Sequence, residues 1–126
     1  MNYKALNNLA TMFFDSAEHF PQKPFLWAKR NGKYISGSYS ETKNKVQLLA
    51  DSLHQLGVEK GDRVVVVAEN RPEWVIADLA FISLGGITVP AFVTNNLDDN
   101  AFIIKNSSPK IIIFENDIIL KKIRLF

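Results

Sequence analysis

Asp98 and Asp99 are adjacent acids, and paired carboxylates are one way to do general acid–base work. Neighbouring residues on a helix point about 100° apart, so these two cannot share one proton site. Acids placed in the first turn of a helix are the simpler reading. Arg71 could hold an anion beside a helix N-terminus, although a surface or structural ion pair explains it more readily. Trp74 and the phenylalanines could line an acyl or aromatic pocket, but an apolar stripe at helical spacing is more often core. His19 and His54 are the only soft metal ligands, because the chain has no cysteine. His54 reads as an ordinary surface histidine at the edge of a helix. A zinc enzyme, a disulfide framework and a cysteine nucleophile are therefore not expected.

A phosphate site would be sought at the first strand-to-helix turn, where backbone amides and a helix N-terminus can cradle an anion. That turn is Ala68-Glu69-Asn70-Arg71-Pro72. It offers no glycine for close backbone approach, a carboxylate that repels phosphate, and a proline without a donor. The dinucleotide fingerprint and the P-loop both fail on these grounds. The second turn, Pro90 to Asn96, also lacks glycine and lysine. Read from its residues, the chain offers no catalytic, cofactor-binding or metal-ligating side chain.

The elements that would position a site are better marked. The chain has 126 residues, 47% hydrophobic and 22% charged, which suits one domain or part of a larger one. Its first 116 residues hold 12 basic and 12 acidic side chains, and the net +2 comes from Lys121, Lys122 and Arg124 against Asp117. No basic face for nucleic acid is implied. The most apolar stretch, Trp74 to Leu84, is too short to span a membrane and carries Asp78. The N-terminus lacks the pattern of a signal peptide, so a cytoplasmic protein is expected.

Residues 1–62 read as helix, hairpin and helix. Leu6, Leu9, Ala10, Phe13, Phe14 and Ala17 form one apolar stripe over Tyr3 to Phe20, which Pro21 and Pro24 end. Phe25–Lys29 and Lys33–Tyr39 are strands joined by Asn31-Gly32, a strong hairpin signal. Ser40 is expected to cap a helix with Glu41 in its first turn. Val46, Leu49, Ala50, Leu53 and Leu56 give its apolar face, and Gly57 ends it.

Residues 63–116 alternate strand and helix. Val64-Val65-Val66-Val67 is a continuous β-branched run, the mark of a strand covered on both faces. Asn70, Pro72 and Glu73 suit a helix start. The helix that follows, to about Leu84, is apolar around nearly its whole circumference, as for a helix inside a large protein. A short strand at Ile87–Pro90, a helix at Leu97–Asn106 and a strand at Ile111–Phe114 complete a βαβαβ segment. Residues 117–126 form a tail that can begin another helix. The expected class is α/β, a partial doubly wound parallel sheet with flanking helices, plus an N-terminal helix and β-hairpin.

Leu56-Gly57-Val58-Glu59-Lys60-Gly61-Asp62-Arg63-Val64, followed by Asn70-Arg71-Pro72-Glu73-Trp74, resembles the opening of the AMP-forming acyl-CoA synthetases. This adenylating superfamily also includes luciferases and peptide-synthetase adenylation domains. The resemblance continues through Leu84-Gly85-Gly86-Ile87-Thr88-Val89-Pro90 and Ser107-Ser108-Pro109-Lys110-Ile111-Ile112-Ile113, and spans about Leu6 to Ile123. Pro90-Ala91-Phe92-Val93-Thr94-Asn95-Asn96 is most similar to the long-chain fatty acyl branch.

The resemblance implies that residues 1–126 are the N-terminal part of an AMP-binding domain. The family's Ser/Thr/Gly-rich phosphate loop, adenine and ribose segments, acyl tunnel and catalytic lysine lie downstream of this region. No functional residue carries over, and the chain is expected to be an N-terminal fragment of a long-chain acyl-CoA ligase, inactive alone. ATP, magnesium and CoA are implied for the full-length family and none for this chain. The expected partner is the missing remainder of the synthetase, with self-association through exposed apolar surface. The alternatives are a non-catalytic docking module for a separately encoded remainder, or an unrelated flavodoxin-like ligand binder.

Overall fold

The structure, a computed structural model, describes residues 8–123. Ten elements follow in order: α1 (Leu9–His19), β1 (Pro24–Arg30), β2 (Lys33–Ser38), α2 (Tyr39–Gln55), β3 (Arg63–Val67), α3 (Pro72–Ser83), β4 (Ile87–Ala91), α4 (Leu97–Ser107), β5 (Ile111–Phe114) and α5 (Asp117–Ile123). The α/β class expected from the sequence is what the chain adopts. Strands β4, β3 and β5 form a parallel sheet in that order, and β1 and β2 form a separate antiparallel pair.

The central strand explains the layers. Val64 to Val67 are each buried to within 1% exposure, so neither face of β3 can meet water. Val64 and Val66 pack with Phe13, Val46, Leu53, Leu79, Ala80 and Phe81 from the first three helices. Val65 and Val67 pack on the other face with Ile119 and Ile123 of α5, and with Ile103 and Ile104 of α4 at the margin. Burying each such side chain stabilises the fold by roughly 1.5–3 kcal/mol. The 117–123 segment is therefore part of the second face.

Turn chemistry sets the boundaries. Asn31 and Gly32 both take positive φ, 50° and 79°, and join β1 to β2 by a two-residue turn. Helix α2 ends on Gly57 at φ 85°. The Gly57 amide donates to the His54 carbonyl at 2.9 Å and the Val58 amide to that of Leu53 at 3.0 Å. This reversal turns Val58 into the core and leaves Leu56 71% exposed, so Leu56 does not belong to the apolar face expected of it. Helix α3 closes the same way, through Gly85 and Gly86 onto Ile82 and Phe81. A Cβ on Gly86 would stand 3.1 Å from the Phe81 carbonyl oxygen.

Other boundaries shift from expectation. Helix α1 starts at Leu9 with Asn8 as its cap, and Leu6 and the rest of the Tyr3–Asn7 stretch fall outside the described residues. Ala10, Phe13 and Ala17 are buried as expected, whereas Leu9, in the first turn, is exposed. Ser38, not Ser40, caps α2. Its hydroxyl accepts from the Glu41 amide at 3.1 Å, and the Glu41 carboxylate accepts from the Ser38 amide at 2.7 Å. The reciprocal pair needs a three-residue spacing, which Ser40 and Glu41 do not have. Arg71, not Asn70, is the cap residue of α3, without a side-chain bond, because Pro72 already occupies the first helical position.

The two serines separate these readings by experiment. Ser38→Ala is expected to lower stability by about 1 kcal/mol and Ser40→Ala by far less. Denaturant unfolding of both variants checks the assignment.

Candidate functional site

In an open α/β sheet, ligands gather in the crevice at the carboxyl ends of the strands. Here that edge is built by the turn after β3, the turn after β5 and the first turn of α3. A crevice of about 200 Å³ opens between them, floored by Val66, Trp74, Ala77, Ile113 and Phe114 and lined also by Arg71, Glu73 and Glu115. Trp74 is half-buried, packed against the core on one side and lining the crevice on the other. The aromatic side chains that do cluster, Phe13, Phe25 and Tyr39, pack against the main core, with Phe25 and Tyr39 ring centroids 4.4 Å apart.

Hydrogen bonds tie the turns together. The Glu115 amide continues the β3–β5 ladder by donating to the Val67 carbonyl at 3.2 Å. Its carboxylate accepts from the Glu69 amide at 2.8 Å, bridging the two turns. Arg71 Nε donates to Glu73 at 2.9 Å, and the other oxygen of that carboxylate takes a 3.4 Å contact from Arg30 of the hairpin. The Arg71 bond holds the Glu73 carboxyl below its ordinary range. Glu73 in turn raises Arg71, with Glu115 and Glu69 adding to the effect.

This arrangement decides what Arg71 can do. Its guanidinium is already bonded to one carboxylate and stands in the field of two more. A phosphate arriving here would meet Glu69, Glu73 and Glu115 before a free cation. The carboxylates around Arg71 disfavour a phosphate group in this crevice. The ion-pair reading of Arg71 therefore holds.

The other candidates are placed as plainly. Asp98 and Asp99 lie in the first turn of α4, where the Asp99 carboxylate and the Asn96 side chain exchange bonds with each other's backbone amides. Asp99 is thus a capping residue, which its spacing from Asn96 could have indicated. His54 is exposed near the end of α2, and His19 is exposed on α1 beside Asp15. Among the described residues, no three His, Cys, Asp or Glu side chains gather as a metal site. Sequence reasoning missed the Glu115 bridge, the Arg30–Glu73 pair and the 3.0 Å pair between Lys110 and Asp62. Each joins residues more than 40 positions apart, and no local pattern marks them.

With the geometry in view, the likeness to known proteins is informative. The family described as AMP-binding enzyme matches residues 13–124. The chain belongs to that family. It is 29% identical over 111 residues to the long-chain-fatty-acid–CoA ligase FadD15 of Mycobacterium tuberculosis, covering 88% of this chain and 18% of that protein. It is 32% identical over 114 residues to the mouse long-chain-fatty-acid–CoA ligase ACSBG2, covering 90% of this chain and 17% of the relative. Among solved structures, it superposes with TM-score 0.83 and 25% identity on a fatty acyl-adenylate ligase of Legionella pneumophila in complex with acyl adenylate and pyrophosphate, covering 95% of this chain and 22% of that one. The chain thus spans under a fifth of the length of these curated relatives. An unrelated flavodoxin-like binder is set aside by the family match.

The ion pair carries a pH dependence of known sign. Because Arg71 depresses the folded-state pKa of Glu73, the pair's contribution is complete above the unfolded glutamate value. It is lost as pH falls through the lower folded value. Replacing Arg71 by alanine is expected to move the Glu73 titration upward. NMR titration of the Glu73 carboxyl, run in parent and variant, measures that movement.

Proposed function

We propose that these residues form the opening layer of the AMP-binding domain of a long-chain fatty acid–CoA ligase. In the reaction of such a ligase, ATP and a fatty acid give an acyl adenylate and pyrophosphate. CoA then takes the acyl group as a thioester and releases AMP. What supports this reading most is the co-linear match of residues 13–124 to the family, together with relatives named as long-chain ligases.

By itself the 126-residue chain is an N-terminal fragment without ligase activity, on this reading. The carboxyl edge of its sheet holds an acidic cluster around one neutralised arginine, in place of a donor-rich phosphate cradle. The groups that engage ATP, magnesium and CoA would come from further polypeptide, either continuous with this chain or separately encoded as a docking partner. The test is ATP–pyrophosphate exchange with palmitate and the purified chain. No exchange above background is expected. Exchange that persists in a preparation free of host synthetase overturns the reading.

The same proposal assigns a partner to the apolar surface. Leu48 and Leu56 on α2, Phe92 after β4, Phe102 on α4 and Ile118 on α5 are each more than two-thirds exposed, so apolar surface is left on both sides of the sheet for a further layer to cover. The remainder of the synthetase is the partner, no nucleic acid is implied, and the compartment is the cytoplasm. Among the described residues no helix is long and apolar enough to cross a membrane. The chain without its partner is expected to bind a hydrophobic dye and to self-associate as concentration rises. Sedimentation that stays monomeric, with no dye signal, contradicts this assignment.

A further inference from the structure

The tip of the β1–β2 hairpin is lightly held. Every residue from Lys29 to Ile35 is exposed. Arg30 stands directly opposite Lys33 in the pairing register, and like charges placed so work against strand pairing. Lys29 adds a third cation beside them. Among the described residues, the tip is fastened to the rest of the fold by the 3.4 Å contact from Arg30 to Glu73, a carboxylate already bonded to Arg71 at 2.9 Å. A two-stranded ribbon with so little cover opens locally from its tip.

That tip carries a reactive pair of its own. The Asn31 side-chain amide carbon and the Gly32 backbone nitrogen are one five-membered ring apart, and glycine puts no side chain in the way of closure. A Cβ on Gly32 would meet nothing within 4 Å, so the turn is open to water. Asn31 is the only asparagine in the chain followed by glycine. Asn8, Asn96 and Asn116, by contrast, each accept a bond from the backbone amide three residues on. The closed turn holds the reaction off. Positive φ at both residues marks the turn whose first central residue has ψ of about +30°. At that angle Cβ of Asn31 lies nearly opposite the Gly32 nitrogen across the Cα–C bond, whereas ring closure needs the two nearly eclipsed.

From this juxtaposition we propose that Asn31 is a site of spontaneous deamidation, gated by opening of the hairpin tip. In the open form the Gly32 nitrogen gives up its proton to water and attacks Cγ of Asn31. A bond forms between that nitrogen and Cγ, the Cγ–Nδ2 bond breaks, and ammonia leaves with the proton. Water then adds to one carbonyl of the cyclic imide and breaks its bond to the ring nitrogen. Cleavage at Cγ gives aspartate, and cleavage at the backbone carbonyl gives isoaspartate. The aspartate form closes again, because aspartate tolerates positive φ. The isoaspartate form has one more methylene in the backbone of the turn, so a two-residue connection no longer matches the Arg30–Lys33 register and the tip stays open.

The test holds the purified chain in mildly alkaline buffer over days and follows each asparagine by peptide mass spectrometry, with fragmentation to separate aspartate from isoaspartate. The same chain unfolded in urea gives the ungated rate. Asn31 should be converted before every other asparagine, at a rate at least about tenfold below its rate in urea. In the isoaspartate fraction, hydrogen exchange should show protection lost at the Lys33 amide and kept in β3. Lys33→Glu turns the like-charge pair into an opposite one and should lower the ratio of folded to unfolded rates about threefold. High salt, which screens the Arg30–Lys33 repulsion, should lower the same ratio in the parent chain, so the test stands if the variant fails to fold. Conversion as fast in the folded chain as in urea overturns the gate. No conversion at Asn31 while the urea control is converted, or another asparagine converted first, overturns the site. A ratio moved by neither Lys33→Glu nor salt overturns the part given to like charges. None of these readouts involves ligase activity, so failure here is distinguishable from failure of the proposed function.

Discussion

Four consecutive valines with no exposed face govern this structure. A strand like Val64–Val67 cannot end up against water on either side, so helices must cover both faces of the sheet around it. That requirement places α2 and α3 on one side and α4 and α5 on the other. It also puts parallel neighbours on both edges of β3, since helical crossovers deliver parallel strands. The long apolar circumference of α3 follows from the same arrangement. It packs against the sheet, α1, α2 and the hairpin, and so has little of its surface left for solvent.

The turns convert that packing demand into a definite geometry. Paired glycines after α3 and the single Gly57 after α2 each reverse the chain within two residues, and the turn at Gly57 sends Val58 inward. The 3.0 Å Lys110–Asp62 pair and the Asp62 carbonyl, which accepts the Ile87 amide at 2.8 Å, hold the entry side of the sheet. The Glu59 amide and Lys110 both favour the charged form of Asp62. At the opposite side, the Glu69–Glu115 bond joins the turns after β3 and β5, and the separate Arg71–Glu73 bond holds the first turn of α3 beside them.

That closure bears on chemistry. Exposed ion pairs of this kind contribute little stability, about 0–1 kcal/mol each, but they decide which ligands the edge can receive. An arginine held by Glu73, with two further carboxylates in its field, is a local fastener and not an anion receptor. The likeness to acyl-CoA ligases rests on fold and family. An α/β layer can be shared by enzymes whose reacting groups all stand elsewhere.

Much of this was legible in the residue order. Apolar periodicity marked α1 and α2, an all-round apolar run marked α3, the valine and isoleucine runs marked the buried strands, and Asn31-Gly32 marked the hairpin, because these signals arise from local backbone preference and burial alone. The lack of glycine and lysine at Ala68–Pro72 is likewise a local property, read directly from the residues. Cap positions were less so. Whether Ser38 or Ser40, Asn70 or Arg71, begins a helix depends on which reciprocal bond or proline position wins. The burial of Val58 in place of Leu56 was hidden because a positive-φ glycine between them redirects the chain. Only the tertiary structure could bring Glu115 to Glu69, Arg30 to Glu73 and Lys110 to Asp62. Those contacts join segments far apart in sequence, and their formation depends on the sheet register that the buried valines impose.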